Sequence, residues 1–215
     1  MPLIHTVLRS SLVALITVAA PAQAGDAATK PLPLQRNDFP TLATNEQIQR
    51  LVIFNPDVED FPQRCEQLRM VKLAELSPRW QPVIDRLTLK SCEVTTFDDG
   101  ETYLSYEAQA TFKPAATTLQ GLPVIGYHEG MGERHIRQSL VVDAPITQLL
   151  NVLRPVIERD CQPMLQLNPM AVRTCTMAYD GEAWSMIVGE LNHTVWLRAD
   201  PDSPARSMYE VSGGD

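Results

Sequence analysis

The sequence predicts an α+β fold, with helices packed on antiparallel sheet and a β-meander at the C-terminal end. Three observations carry this. Apolar residues recur at helical spacing near residues 44–76 and 146–157. From Leu87 the period changes to strand-like alternation rich in β-branched residues. After residue 172, turn-forming pairs cut the chain into short apolar stretches.

Residues 25–43 hold Pro31, Pro33 and Pro40 and read as an extended leader, a tether or edge segment with little core of its own. Thr44 followed by Gln47 resembles a capping box, and Ile48, Leu51 and Val52 follow at helical spacing to about Phe54. Asn55-Pro56-Asp57 breaks that helix. A second is expected from about Asp60, through Cys65, Leu68, Val71 and Leu76, to the stop at Pro78.

Leu87 to Thr96 and Thr102 to Phe112 should form a hairpin about the turn Asp98-Asp99-Gly100-Glu101. Residues 114–133 contain Pro114, Gly121, Pro123, Gly126, Gly130 and Gly132, and read as a long loop with room for a short strand around Val124 and Ile125. Arg134 to Asp143 reads as a strand. After Pro145 comes a helix with Ile146, Leu149, Leu150, Leu153, Val156 and Ile157 on one face and a kink expected at Pro155. Four strands follow, near Val172–Tyr179, Glu182–Leu191, Val195–Ala199 and Arg206–Ser212.

Both cysteine-bearing stretches lead into an Asp-Gly-Glu turn, at Asp99-Gly100-Glu101 and at Asp180-Gly181-Glu182. This echo suggests two similar helix-plus-hairpin halves, 44–113 and 134–215, joined by the 114–133 loop within one domain spanning 44–215.

The first 24 residues have the order of a signal peptide: Arg9, an apolar run from Leu12 to Ala20, then Pro21-Ala22-Gln23-Ala24 with small residues at the recognition positions. Cleavage after Ala24 and a periplasmic destination are expected, with no membrane span, because the apolar run is about half the length a spanning helix needs. The whole chain carries a net charge of −8. Removing the segment takes away Arg9 and leaves 17 basic against 26 acidic residues, a charge of −9. Such a surface excludes nucleic acid and favours a partner with a basic surface.

Cys65, Cys92, Cys161 and Cys175 form an even set, which in an oxidising compartment points to disulfides. Three pairings are open. The favoured one joins nearest neighbours, Cys65 with Cys92 and Cys161 with Cys175, each tying a helical segment to a following strand for about 3 kcal/mol. No Cys-x-x-Cys motif is present, so neither a redox site nor a zinc knuckle is indicated.

The signatures of serine hydrolases, zinc peptidases and phosphate loops are missing, and no cofactor is called for. The one concentration of reactive groups is His128, Glu129, Glu133 and His135, where two imidazoles and two carboxylates could bind a metal or exchange protons. Met164, Met170, Met177 and Met186 are soft enough for cuprous copper but irregularly spaced, which favours core filling. Trp80, Trp184 and Trp196 read as core or half-buried anchors.

The expectation for function is a non-catalytic binding, inhibitory or immunity-type protein of the periplasm, acting through a protein partner. The alternatives are a hydrolase or metal-binding protein using the His128–His135 segment, and an accessory component of an envelope assembly.

Overall fold

A computed structural model describes residues 30–42, 70–96, 102–132, 135–167, 174–188 and 193–214. Sheet dominates it, and the expected α+β arrangement of helices packed on sheet is replaced by a ten-stranded mixed sheet with one α-helix among the described residues. The strands are β1 (Leu32–Leu34), β2 (Ile84–Thr96), β3 (Thr102–Phe112), β4 (Thr117–Leu119), β5 (Leu122–Gly132), β6 (His135–Val142), β7 (Ala178–Tyr179), β8 (Ala183–Ile187), β9 (Thr194–Asp200) and β10 (Ser203–Gly214). The helix α1 (Ile146–Leu167) lies between β6 and β7 in the chain.

The main path of the sheet runs β1, β4, β5, β6, β10, β9, β8, β7, and the β2–β3 hairpin joins it through the pairing of β3 with β5. Among the described residues, only β1 with β4 is parallel. The expected β2–β3 hairpin is present, though the Asp98–Glu101 turn lies outside the described residues. The meander is also present, since β7, β8, β9 and β10 pair antiparallel in chain order. Its β7–β8 turn uses Gly181 at φ 107, with the Asp180 carboxylate accepting the amides of Glu182 and Ala183. The first strand of the meander is shorter than expected, because Thr174 to Met177 precede it without strand pairing.

The loop expected over 114–133 is instead the strand at the junction of the sheet. Gln120 and Gly121, at φ 50 and 84, make a two-residue turn that returns β4 into β5. From there β5 pairs with β3 on one side and β6 on the other. This makes the sheet continuous across the place where two halves were expected to separate. The two hairpins also differ in length: the first has strands of 13 and 11 residues, the second of 2 and 5.

One face of the sheet carries the core. Tyr106, Ala108 and Ala110 of β3, Tyr127 and Met131 of β5, Leu140 and Val142 of β6, Tyr209 of β10, and Val195 and Leu197 of β9 all point to it. Helix α1 closes part of this face with Leu149, Leu153, Ile157 and Cys161, a buried stripe at four-residue spacing. Pro155 and Pro163 sit on its exposed side, where the missing amide hydrogen bond is least costly, and the helix continues through both.

The Pro-rich leader has far more core than expected. Residues 30–42 cross the core face as a strap in which Leu34 and Leu42 are fully buried and Phe39 stacks near Tyr127 and Tyr209. The proline-rich composition suits an edge strand and an extended crossing, and β1 is such an edge. Arg79 holds the strap from the side through both carboxylate oxygens of Asp38 and the Pro33 carbonyl. The helices expected over 44–54 and from Asp60 fall mostly outside the described residues. Where the second should end, Val71 instead donates to the Leu42 carbonyl and Leu73–Glu75 form a single 3-10 turn.

Cys161 and Cys175 are joined as expected, with an S–S distance of 2.00 Å and Cα atoms 5.5 Å apart, tying α1 to the entry of β7. The Cys65–Cys92 pairing has Cys65 outside the described residues. No helix among the described residues is long and apolar enough to cross a membrane. Replacing Cys161 and Cys175 by serine should cost about 3 kcal/mol in urea unfolding, as the closing of a loop with sequence separation 14 implies. An unchanged midpoint and slope would show that this bridge does not brace the fold.

Candidate functional site

Consecutive residues on a strand point to opposite faces, and β5 therefore divides the reactive cluster seen in the sequence. Tyr127, Glu129 and Met131 face the core, while Gly126, His128, Gly130 and Gly132 face the other side. His128 and Glu129 are adjacent in sequence but separated by the sheet. His135 begins β6 opposite Gly132, on the same face as His128 but four positions along the ladder, and it is exposed. Glu133 lies outside the described residues. Among the described residues, no three His, Cys, Asp or Glu side chains are placed to hold a metal ion.

Glu129 is only 4% exposed and serves the fold. Its Oε1 accepts from the Tyr106 hydroxyl at 2.8 Å, and its Oε2 accepts from the Tyr127 hydroxyl at 3.1 Å and the Leu42 amide at 3.2 Å. Gln138 donates to the Tyr127 oxygen at 2.9 Å. Three donors on one carboxylate answer the desolvation cost of burying it, and the third donor fixes the end of the strap. Tyr209, fully buried beside Phe39, has no hydrogen-bond partner for its hydroxyl among the described residues.

The opposite face is built differently. A row crosses six strands in register: Thr88, Gln109, His128, Ser139, Glu210 and Trp196. None of the six is fully exposed, and none belongs to the core cluster. Val141 and Met208 beside them are buried as well, again apart from that cluster. The row and its two apolar neighbours thus form a second, largely sheltered layer of side chains on the face away from the core cluster.

Two glycines of β5 flank His128 on this face. At Gly130 a Cβ would lie 3.6 Å from the Tyr106 carbonyl, ordinary contact, so its bareness leaves room that a side chain would fill. At Gly126 a Cβ would come within 3.2 Å of the Ala110 carbonyl, so there the close approach of β3 also favours glycine.

Glu210, 4% exposed, lies between two guanidiniums, with Arg198 at 2.9 Å and Arg137 at 3.2 Å, and accepts from Ser139 at 3.2 Å. The Arg198 Nε is buried without an acceptor among the described residues. Burial holds His128 below the ordinary imidazole range; Asp200, Glu107 and Asp202 act against this and Lys90 with it. His128 is therefore neutral at pH 7 and offers one donor and one acceptor.

The other candidates occupy ordinary positions. Met177 and Met186 are buried in the core, Met164 is exposed on α1, and Met170 is outside the described residues. Trp80 packs against Phe112, and Trp184 lies beneath the Arg154 guanidinium beside Tyr179. Trp196 differs, being half-buried on the face away from the core. Sequence reasoning missed Glu210 and Trp196 as members of the row that holds His128, because only the strand register brings them into it. Comparison with known proteins finds no matching family, and no curated protein or solved structure matches the chain.

Replacing Glu129 by Leu strands three donors and should lower folding stability by roughly 3 kcal/mol in urea unfolding, while Tyr106→Phe removes only one donor and should cost about 1 kcal/mol. Equal, small effects would mean that the carboxylate does not organise the core. Stability should also fall in alkali. Burial raises Tyr106 and Tyr127, helped by the Glu129 charge, and burial raises Tyr209 despite Arg36. Unfolded tyrosine ionises near pH 10, at about its ordinary value, so the protection these phenols give is complete below that pH and is lost as pH rises past it. Absorbance titration should show all three ionising only as the protein unfolds. Ionisation of any of them near the ordinary value in the folded state would contradict their burial.

Proposed function

We propose that this is an exported, non-catalytic binding protein of the bacterial periplasm whose working surface is the face of the sheet opposite the core. The observation that carries the reading is the division made by β5. Its core side is filled and hydrogen-bonded by Glu129, Tyr106, Tyr127 and the strap, whereas its other side carries the half-buried His128 beside backbone left without a side chain at Gly130. A folding requirement explains the first set and leaves the second unused.

Export is supported by the order of the first 24 residues and by the Cys161–Cys175 bridge, which suits an oxidising compartment. Catalysis by the histidine segment is less well supported. A base and an acid must share one reacting centre, and Glu129 lies across the sheet from His128.

The reading is tested with protein taken from the periplasmic fraction, where an N-terminus at Gly25 is expected, and immobilised for retention of envelope components. Wild type should retain a component that Gly130→Phe does not, because the new ring covers the backbone of β5 on this face. Leu167→Ala, at the exposed end of α1, should retain it equally. Cytoplasmic protein with Met1 intact would overturn export. Equal retention by wild type and Gly130→Phe would overturn the assignment of the face.

A further inference from the structure

We infer that the outer edge of β2 pairs with the same edge of a second copy of this chain, antiparallel and about a two-fold axis passing between Leu89 and Lys90. The length of the edge is the first observation. A free sheet edge is a row of unpaired main-chain donors and acceptors, which natural sheets keep short, covered or guarded. The other two ends of the sheet are short, since β1 has 3 residues and β7 has 2, whereas β2 has 13 and pairs with β3 alone. Among the described residues no strand pairs with its other side.

Register is the second. The pairing of β2 with β3 shifts by one residue between Leu89 and Ser91, which makes Lys90 the extra residue of a bulge. Arg86 and Thr88 before the bulge, and Ser91 and Glu93 after it, stand opposite Thr111, Gln109, Glu107 and Ser105 on the face away from the core, while Leu87, Leu89 and Cys92 pack against the core cluster. Strands that pair must set residues of one face against each other. Turning a second copy about the stated axis meets this: Thr88 lies opposite Ser91, Leu87 opposite Cys92 and Arg86 opposite Glu93, each pair on a single face.

Charge is the third. Arg86 and Glu93 are exposed and take part in no ion pair among the described residues. In the two-fold pairing the opposite charges meet directly and, by symmetry, twice. A slip of one residue would set core-side groups against outer ones, and a slip of two would part Arg86 from Glu93. Lys90 and the bulge therefore guard the edge against other strands and leave one register open to a copy. The pairing covers about 27 Å of edge over residues 86–93 and brings the faces away from the core of both copies to the same side. An edge contact is narrow, so its affinity belongs to the weak, concentration-dependent class.

The test is sedimentation equilibrium of the protein as processed by the cell, from micromolar to millimolar concentration and at low ionic strength, where exposed charges are least screened. Wild type should dimerise reversibly. Arg86→Glu and Glu93→Arg should each weaken the dimer at least about tenfold, because each sets like charges opposite one another twice, with circular dichroism confirming that both are folded. Mixing these two variants should restore dimers, since each supplies the charge that the other lacks. Glu182→Arg, an equal change of charge in the exposed β7–β8 turn, should dimerise as wild type does. A wild type that stays monomeric throughout overturns the inference. So does a dimer that both single variants keep, which would lie elsewhere on the chain, and so does a mixture of the two variants that stays monomeric, which would show that Arg86 and Glu93 do not face each other.

Discussion

Strand β5 is hydrogen-bonded along both edges, to β3 and β4 on one side and to β6 on the other, and this pairing decides which way the side chains of its neighbours point. A strand held on both sides cannot shift by one residue without turning every side chain over. Tyr127, Glu129 and Met131 are thus committed to the core, and Gly126, His128 and Gly130 to the other face. Register then carries the division outward. Ser139 on β6, Glu210 on β10 and Trp196 on β9 fall beside His128, while Leu140, Tyr209 and Leu197 fall beside Tyr127.

The core side tolerates an expensive group. A carboxylate among apolar residues is stable only when its oxygens are satisfied, and Glu129 meets this with two tyrosine hydroxyls and the amide of Leu42. Because that amide belongs to the strap, the same group that makes burial tolerable also anchors residues 30–42 over Tyr127 and Tyr209. Arg79 with Asp38, and the more distant Arg36 with Asp160, hold the strap at its flanks. Cys161 and Cys175 do the corresponding work at the far end, fixing α1 to the entry of the meander.

Much of this was legible from the residues. The alternation from Leu87, the four-residue stripe of Leu149, Leu153 and Ile157, the Asp180-Gly181 turn and the Cys161–Cys175 pair each express a short-range rule, and each element is present. The fold class was not, because it turns on β5. There Pro123 and three glycines resemble the punctuation of a loop, although Gly126, Gly130 and Gly132 fall on alternate positions with Tyr127, Glu129 and Met131 between them. That period of two was the available signal. The strap was missed for a related reason: prolines mark irregular backbone, yet Leu34 and Leu42 between them still reach the core. In the candidate site, adjacency in sequence suggested that His128 and Glu129 act together, and strand geometry places them on opposite faces.

Hydrogen exchange along β5 tests the account most directly. With both edges paired, the amides of Gly126 to Met131 should belong to the slowest class in the protein, opening only with global unfolding. Exchange in this segment as fast as in an exposed loop would contradict the central strand, and with it the separation of the core face from the opposite one.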